Sequence, residues 1–244
     1  MLIKNYQKKA IVMGATSGIG RGLAKIFVEN GYRVGITGRR VNLLNEIKAE
    51  NVAGYCLKAI DISETDTLPA LLEELVIELG GLDLMVICSG YGDLNYILDF
   101  AVEKQTIETN VLGFTATADW AFNYFESKSS GHIVGITSIA GLRGSKLALS
   151  YNASKAYQIN YLEGLRQRAN KFKHSVFITD IRPGFVDTDM AKGDGLFWVA
   201  TVDKAVLQIF KAIKRQRKVL YVTKRWILFA LILKILPKWL YEKL

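Results

Sequence analysis

A glycine-rich turn directly follows the first apolar run of this 244-residue chain. The run, KAIVMG at 9–14, has the composition of a buried strand, and GATSGIG at 14–20 leads from it into a helix-like segment. Glycines at 14, 18 and 20 permit a tight turn and let backbone N–H groups at a helix N-terminus approach a phosphate. Between a strand and a helix, such a turn favours nucleotide binding over a purely structural loop.

Apolar runs alternate with amphipathic stretches along most of the chain. The runs are continuously apolar, as in strands of a parallel sheet that helices cover on both faces. Strands separated by crossover helices are typical of a doubly wound fold. We therefore predict a single-domain α/β protein with a Rossmann-type doubly wound parallel sheet and helices on both faces. The predicted strands are 9–14, 33–38, 82–90, 131–138 and 175–184, and the predicted helices are 18–30, 40–50, 64–80, 103–126 and 151–172.

The net charge of +9 comes from the C-terminal part of the chain. Residues 1–210 hold 22 Lys and Arg against 22 Asp and Glu, whereas residues 211–244 hold ten Lys and Arg and a single acid, Glu242. A neutral globule with a cationic tail differs physically from a uniformly basic protein. We therefore divide the chain into a nucleotide-binding domain, 1–210, and a basic, apolar C-terminal extension, 211–244.

The two cysteines and two histidines show no metal-binding or disulfide spacing. Cys56 and Cys88 lie in apolar surroundings that are typical of reduced core thiols. His132 opens a strand and His174 lies in a polar turn, so we expect both to be structural and expect no metal site. The N-terminal residues lack the long apolar core of a signal peptide, which favours a cytoplasmic location.

The sequence YNASK, residues 151–155, places Tyr151 and Lys155 four positions apart on one face of a helical segment. Such a pair usually marks only an exposed face. Here Ser138 ends a strand thirteen residues earlier, Asn110 lies in the preceding helical segment, and the glycine turn can bind a nucleotide. An ammonium near a phenol favours the phenolate, which brings the pKa of a tyrosine down from about 10 towards the range of a general acid/base.

Six motifs in this chain resemble those of the short-chain dehydrogenase/reductase family, in the family's order, over residues 9–190. The chain departs from the family's pattern in two of its segments. Met13 stands where its glycine turn usually has threonine, and Ile87-Cys88-Ser89-Gly90 replaces its Asn-Asn-Ala-Gly. The six motifs are GATSGIG (14–20), Asp61–Ile62, TNVLG (109–113), ITSIAG (136–141), YNASK (151–155) and RPGFVDT (182–188).

The resemblance implies an oxidoreductase that transfers a hydride between a nicotinamide cofactor and a carbonyl or alcohol. It makes Tyr151 the general acid/base, with Lys155 lowering the pKa of the phenol and binding the nicotinamide ribose. It makes Ser138 a hydrogen-bond donor to the substrate oxygen. Asn110 would hold a water that links Lys155 to solvent. The resemblance also implies a homo-oligomer.

The end of the second strand, ITGRR, predicts which cofactor is bound. A fold that selects NAD usually has an acid here for the ribose 2′-hydroxyl, but this chain has Gly38 followed by Arg39 and Arg40. Because a guanidinium can bind a phosphate with two parallel hydrogen bonds, we expect NADP(H), with Arg39 as the stronger candidate. The predicted cofactor-binding residues are Gly14, Ser17, Gly18, Ile19, Gly20, Arg39, Arg40, Asp61, Ile62, Gly90, Asn110, Tyr151, Lys155, Pro183, Gly184 and Thr188.

Two other functional classes compete with an enzyme. A catalytically silent NADPH-binding sensor or scaffold would keep the fold, but it would be free to lose members of the set Asn110, Ser138, Tyr151 and Lys155. A nucleic-acid binder could use the cationic tail, but the chain contains no recognisable nucleic-acid-binding module, so we expect no such partner.

The segment after Pro183-Gly184 covers the substrate in the family that this chain resembles. Here the segment at about 185–205 contains Met190, Leu196, Phe197, Trp198 and Val199. These residues would form an apolar lid over a hydrophobic, lipid-like substrate, although a helix packed on the core would explain some of them equally well.

The last twenty residues, RWILFALILKILPKWLYEKL, form an apolar segment with basic ends. The unbroken apolar run from Trp226 to Leu233 is much shorter than the roughly 20 residues that span a bilayer. We expect Pro237 to kink or divide the segment near Leu233. Two interpretations stay open: residues 224–244 lie on an anionic, inner membrane surface as a peripheral contact, or they dock on the core or on a partner subunit.

Overall fold

The computed structural model describes residues 7–171, 175–191 and 196–243. Strands and helices alternate in these residues in the order that the sequence predicts. The strands are β1 (Lys8–Met13), β2 (Tyr32–Gly38), β3 (Tyr55–Ala59), β4 (Leu84–Ile87), β5 (Ser130–Ile136), β6 (Ser175–Pro183) and β7 (Val219–Val222). The α-helices are α1 (Gly18–Glu29), α2 (Val41–Glu50), α3 (Leu68–Leu79), α4 (Phe100–Ile107), α5 (Phe114–Lys128), α6 (Leu149–Lys171), α7 (Val202–Lys214), α8 (Trp226–Ile235) and α9 (Lys238–Tyr241). A π-helical turn, Glu108–Gly113, joins α4 to α5, and a 3₁₀ turn, Ile139–Leu142, follows β5.

The seven described strands form one parallel sheet in the order β3-β2-β1-β4-β5-β6-β7. The chain order reverses between β1 and β4, and the carboxyl ends of strands on either side of such a reversal border a ligand crevice. The predicted single-domain doubly wound fold is confirmed, and the crevice is where the motifs of the sequence lie.

The sheet separates two hydrophobic cores. Ala10 and Val12 of β1 face one core, which α1, α2 and α7 cover, while Ile11 and Met13 face the other, which α3, α5 and α6 cover. Both faces of each central strand are therefore buried. This explains why the strands have continuous apolar runs in the sequence.

The sequence does not predict two of the strands, β3 and β7, and both are short. β3 has only five residues, including the charged Lys58, and β7 has four residues at the edge of the sheet, beside the basic run around Lys218. Neither gives an apolar run long enough to be read as a strand. They form because the neighbouring strands β2 and β6 offer hydrogen-bonding edges along which the chain continues.

The change in charge at residue 210 does not coincide with a structural boundary. Helix α7 runs through this position, from Val202 to Lys214, and its buried residues include Ile209 and Ile213. β7 then pairs with β6 in the main sheet, from Asp180↔Val219 to Pro183↔Val222. The extension placed at 211–244 therefore begins only after Val222.

The C-terminal extension folds back onto the body of the protein. Trp226, at the start of α8, is completely buried. α8 continues to Ile235, and Pro237 precedes α9, so the break lies two residues beyond the expected position at Leu233. The Leu233 carbonyl, which cannot bond a proline nitrogen, accepts a hydrogen bond of 2.8 Å from Arg143 Nε instead.

Candidate active site

The glycine turn between β1 and α1 has the geometry of a phosphate cradle. Gly14 and Gly18 have φ values of 79° and 52°, in the left-handed region that favours glycine. A Cβ on Gly14 would lie 2.8 Å from the Ser89 backbone, and one on Gly20 would lie 2.0 Å from the Gly14 carbonyl oxygen. Only glycine fits at these two positions, and the turn leaves the N-terminus of α1 open. Ser17 caps that terminus without a side-chain hydrogen bond to it.

The end of β2 has no room for the acid that would select NAD. A Cβ on Gly38 would already lie 2.8 Å from Cγ2 of Thr16. Arg40 extends over the glycine turn instead: its Nη2 donates to Thr16 Oγ1 at 2.6 Å and to Ser17 Oγ at 2.9 Å. Arg39 has a side chain that is 61% exposed, and its Nη1 lies 3.9 Å from Asp61 Oδ2. Arg40, rather than the favoured Arg39, is therefore the guanidinium held at the turn.

Asp61 and Ile62 follow β3 and have different environments. Asp61 Oδ1 accepts hydrogen bonds from the Ser63 backbone N–H and hydroxyl, which fixes the carboxylate at the edge of the crevice. Ile62 is buried, and its carbonyl closely approaches Gly113, where a Cβ would lie 2.3 Å from that oxygen. The glycine of the TNVLG motif therefore lets the π-helical turn pack against the segment after β3.

Tyr151 and Ser138 meet at the carboxyl edge of the sheet. Ser138 follows β5, and its hydroxyl accepts a hydrogen bond of 3.1 Å from the Ala140 N–H at the start of the 3₁₀ turn. Tyr151 lies in the first turn of α6. Burial raises the pKa of its phenol, and a hydrogen bond with Ser138 partly opposes that effect. The sequence led us to expect a lowered pKa, but burial dominates in the protein alone, so the phenol is protonated at neutral pH.

Lys155 is almost completely buried one helical turn after Tyr151. Its ammonium lies 5.7 Å from the centre of the Tyr151 ring and donates a hydrogen bond of 3.1 Å to the Ile136 carbonyl. Burial lowers the pKa of Lys155 to about 8, and the nearby Asp180 carboxylate acts in the opposite direction. Lys155 is therefore close to its titration point near neutral pH.

Gln158 is part of the same hydrogen-bonded chain, although it belongs to none of the sequence motifs. Its Oε1 accepts a hydrogen bond of 3.0 Å from Lys155 Nζ, and its Nε2 donates at 2.9 Å to the Asn110 carbonyl. A side chain thus occupies the position between Asn110 and Lys155 where we expected a water. Tyr151, Lys155 and Gln158 are spaced i, i+4, i+7, so their common helix face was available as a signal.

Asn110 also holds the loop that follows β4. Its Oδ1 accepts a hydrogen bond of 2.8 Å from the Tyr91 N–H, and its Nδ2 donates to the Tyr91 carbonyl at 2.7 Å and to Ser154 Oγ at 3.0 Å. Asn110 lies in the π-helical turn, a type of irregularity that is frequent at functional sites. The side chain expected to organise a relay therefore braces the backbone around Gly90.

Two glycines in the loop after β4 make room for Tyr151 and Lys155. A Cβ on Gly90 would lie 3.6 Å from both Lys155 Nζ and Asn110 Oδ1. A Cβ on Gly92 would lie 2.4 Å from Cδ2 of Tyr151, so this backbone packs directly against the phenol ring. Gly92 was not among the predicted residues, although its spacing of two from Gly90 could have indicated a second close approach.

The segment after β6 crosses the crevice and meets the glycine turn. Thr188 Cγ2 would lie 3.0 Å from a Cβ on Gly18. Met190 lies over the site, with its sulfur 4.0 Å from the Tyr151 hydroxyl. A Cβ on Gly184 would lie 2.0 Å from the Trp226 ring, so the indole stacks on this backbone. Pro183, at the end of β6, accepts a weak hydrogen bond of 3.4 Å from the Ser138 hydroxyl.

The apolar lid forms an aromatic cluster with α8. Phe197 contacts Trp198, Trp226 and Phe229, with ring centres 5.1 to 5.6 Å apart. Leu196 is half-buried, whereas Met190, Trp198 and Val199 are partly exposed. None of the described residues 185–191 and 196–201 lies in a helix, and α7 begins at Val202, within the segment predicted as the lid. Of the two interpretations, the apolar lid fits these residues better than a helix packed on the core.

The remaining chemical groups have structural environments. His132 is buried and bonds Thr179 Oγ1 at 2.8 Å, and burial lowers the pKa of its imidazole to about 4. Burial raises the pKa of the Cys88 thiol to about 12 and that of Cys56 to about 11. His174 lies outside the described residues. In the described ranges, no group of three or more His, Cys, Asp or Glu residues could hold a metal ion.

The fold and the site together define a class of protein, the α/β oxidoreductases that use a dinucleotide as cofactor. The family model for short chain dehydrogenases matches residues 8–195, and the chain belongs to that family. It is similar to an uncharacterized oxidoreductase of Myxococcus xanthus, with 35% identity over 188 residues, 75% of this chain and 74% of the relative. It is also 29% identical over 225 residues to an uncharacterized oxidoreductase of Mycobacterium tuberculosis, covering 88% of each chain.

Two solved structures share the fold. A short chain dehydrogenase/reductase from Burkholderia phymatum, in complex with NAD, superimposes with a TM-score of 0.82 at 17% identity, covering 95% of this chain and 94% of that one. ElxO with NADP bound superimposes with a TM-score of 0.76 at 22% identity, covering 88% of this chain and 96% of that one. Since the two similar proteins bind different nicotinamide cofactors, the choice between NADP and NAD depends on this chain's own residues.

Proposed function

We propose that this protein is an NADP(H)-dependent oxidoreductase that acts on the carbonyl or alcohol group of a hydrophobic small molecule. The observation that carries the proposal is the meeting of Ser138, Tyr151 and Lys155 at the carboxyl edge of the sheet, beside a turn that only glycine can form. Screening NADPH oxidation against a panel of apolar ketones and aldehydes tests it. Absence of turnover with every compound, together with tight NADPH binding, would favour a silent sensor instead.

The residues of the chain fit the proposed cofactor. The glycine turn and the open N-terminus of α1 suit a pyrophosphate, and Arg40 suits a 2′-phosphate beside them. Thr188 packs against Gly18 of this turn, and Gly90 lies beside Lys155 and Asn110. When bound, NADPH supplies the hydride that reduces the substrate carbon. The side chains of the protein donate the proton and the hydrogen bonds to the substrate oxygen, and the solvent returns the proton after each turnover.

Tyr151 is the proposed general acid. Because burial keeps its phenol protonated at neutral pH, Tyr151 is ready to donate a proton to the developing alkoxide as a carbonyl is reduced. Ser138, within hydrogen-bonding reach of the phenol, can donate to the same substrate oxygen and stabilise its negative charge. Lys155 favours the phenolate that remains. In the oxidative direction, the same phenol has to lose its proton first, which favours reduction as the faster direction at neutral pH.

Met190 and the aromatic cluster of the lid point to the substrate class. The Met190 sulfur approaches the Tyr151 hydroxyl, so the space beside the proposed acid is apolar on the lid side. Phe197 and Trp198 lie in the same segment as Met190 and pack together, with Phe197 also contacting Trp226 at the start of α8. A lining of this kind supports a hydrophobic, lipid-like carbonyl compound over a charged or strongly polar one.

Replacing Arg40 with alanine should weaken NADPH binding by about 10- to 100-fold and leave NADH binding nearly unchanged, because a charge-assisted hydrogen bond to the 2′-phosphate is worth about 1.5–3 kcal/mol. Arg39→Ala should have a smaller effect, since the Arg39 side chain is 61% exposed and is not held over the turn. Fluorescence titration of both cofactors measures these affinities. Arg215→Ala, at an exposed arginine after α7, is the control. Equal losses for NADH and NADPH in Arg40→Ala would contradict the assignment.

Gln158 is proposed as the residue that positions Lys155. Gln158→Met removes the acceptor for the buried ammonium, so the pKa of Lys155 should fall further, whereas Gln158→Glu adds a negative charge and should raise it. The alkaline decline of NADPH affinity should therefore move to lower pH in the first variant and to higher pH in the second. Titrations between pH 6 and 10, in steps of about half a unit, resolve these movements. If the role of Gln158 were purely structural, the two variants would not shift the alkaline decline of NADPH affinity in opposite directions.

A further inference from the structure

The outer face of α8 is an exposed apolar surface with no partner among the described residues. With about 100° between successive residues, Ile227, Leu228, Leu231, Ile232 and Ile235 fall within an arc of about 140°. All five are exposed, and Ile235 has 79% of its surface accessible. Large apolar residues clustered on one helix face usually mark an interaction site.

The opposite face of α8 holds the helix on the protein. Trp226 and Ala230 are buried, and Trp226 packs against Phe185 with ring centres 5.6 Å apart. Arg143 donates hydrogen bonds to the carbonyls of Leu233 and Leu236, near the end of the helix. Trp226 and Ala230 therefore lie towards the body of the protein, and the backbone near the end of the helix is held there as well. The outward direction of the apolar arc is fixed by these contacts.

Basic residues lie at both ends of the exposed arc. Lys224 and Arg225 precede α8, and Lys234 and Lys238 lie at its end. All four are exposed, as is Trp239 in α9. Apolar residues between clustered cations, with an aromatic residue that prefers an interface, match the chemistry of an anionic lipid surface.

We propose that α8 and α9 dock this protein peripherally on an anionic membrane. With ten residues, α8 is about 15 Å long, half the thickness of a hydrocarbon core, so it lies in the plane of the interface. No helix in the described residues is long and apolar enough to cross a bilayer. The exposed arc enters the acyl boundary while Lys224, Arg225, Lys234 and Lys238 bind lipid phosphates.

A second copy of the chain is the alternative partner for the exposed apolar arc of α8. A two-fold contact between apolar arcs would bring the basic ends of α8 towards the same residues of the partner. The excess positive charge of residues 211–244, ten basic residues against one acid, would then repel itself. An anionic surface neutralises these charges, which is why the observations favour lipid.

Sedimentation with sucrose-loaded vesicles tests the proposal on the full chain. At low salt, the protein should pellet with vesicles of phosphatidylglycerol and phosphatidylcholine and stay in the supernatant with phosphatidylcholine alone. Ile235→Glu should lower the partition coefficient by roughly tenfold, because it removes an apolar side chain from the interface. Ile77→Glu is the matched control, since Ile77 lies at the end of α3 and is also 79% exposed.

A second pair of variants tests the charge. Lys234→Glu/Lys238→Glu should lower binding by at least about tenfold at low salt, since each cation near the surface contributes about 1 kcal/mol, and the control Lys25→Glu/Lys204→Glu should not. Wild-type protein that stays in the supernatant at low salt would overturn the proposal. So would light scattering of a dimer that Ile235→Glu dissociates, because the face would then be a subunit interface.

Discussion

Tyr151→Phe should lower the turnover number by about 10²- to 10⁴-fold, the contribution typical of a positioned general acid. The change removes only the hydroxyl, which contacts Ser138 and the Met190 sulfur, so the ring remains packed against Gly92. We therefore expect NADPH affinity to stay within about twofold and the free energy of unfolding within about 1 kcal/mol. Single-turnover rates with a carbonyl compound that the wild type reduces measure the effect on the chemical step.

A second tyrosine on the same helix provides the control for this experiment. Tyr157 is partly exposed, and its hydroxyl bonds Thr115 Oγ1 at 2.8 Å, away from the crevice. Tyr157→Phe removes the same atom from α6 and should keep the wild-type rate. If Tyr151→Phe retained more than about a tenth of the wild-type rate, another group would have to supply the proton.

Lys155→Met should abolish measurable turnover and weaken NADPH binding, yet it should relieve a cost of folding at neutral pH. Burial lowers the pKa of Lys155 to about 8, so the folded protein carries a poorly solvated ammonium below that pH. In the unfolded chain, the same group stays protonated up to about pH 10.4. Between these values the unfolded state binds more protons, and the stability of the wild type therefore rises with pH across this window.

The methionine variant lacks this dependence, so the difference between the two proteins isolates Lys155. Relative to Lys155→Met, the wild type should gain about 2–3 kcal/mol of unfolding free energy between pH 7 and pH 10, because each unit of pKa shift corresponds to about 1.4 kcal/mol. Urea denaturation at several pH values measures it, with exposed Lys204→Met as the control. Parallel stability curves for wild type and Lys155→Met would show that burial does not perturb this ammonium.

The sequence predicts the fold well where the physical signal is local. Continuous apolar runs identify five strands because both faces of the sheet are buried, and the glycine turn between β1 and α1 predicts the nucleotide edge. The sequence does not predict β3 and β7, because these strands form by pairing with the edges of β2 and β6. Such pairing is a contact between residues that are distant in sequence. For the same reason, charge composition at residue 210 does not reveal that α7 runs through this position and that β7 pairs with β6.

In the candidate site, motif residues could be predicted and their partners could not. Tyr151, Lys155, Ser138 and Asn110 all lie near one another, as their spacing on predicted elements suggests. The bridge through Gln158 and the contact of Gly92 with the phenol depend on side-chain packing between elements. Likewise, Arg39 and Arg40 are adjacent in sequence, and only the turn of the chain after β2 decides which one bonds Thr16 and Ser17.

The stacking of Trp226 on Gly184 has a consequence for how the protein is made. The ribosome delivers Gly184 about forty residues before Trp226, whose indole covers this glycine. The outer edge of β6 is likewise left unpaired until β7 has been synthesised. The Gly184 backbone therefore gains this cover only after Trp226 has been synthesised. A chain released early, without the residues after Val222, would retain every strand of the sheet but leave the Gly184 backbone uncovered.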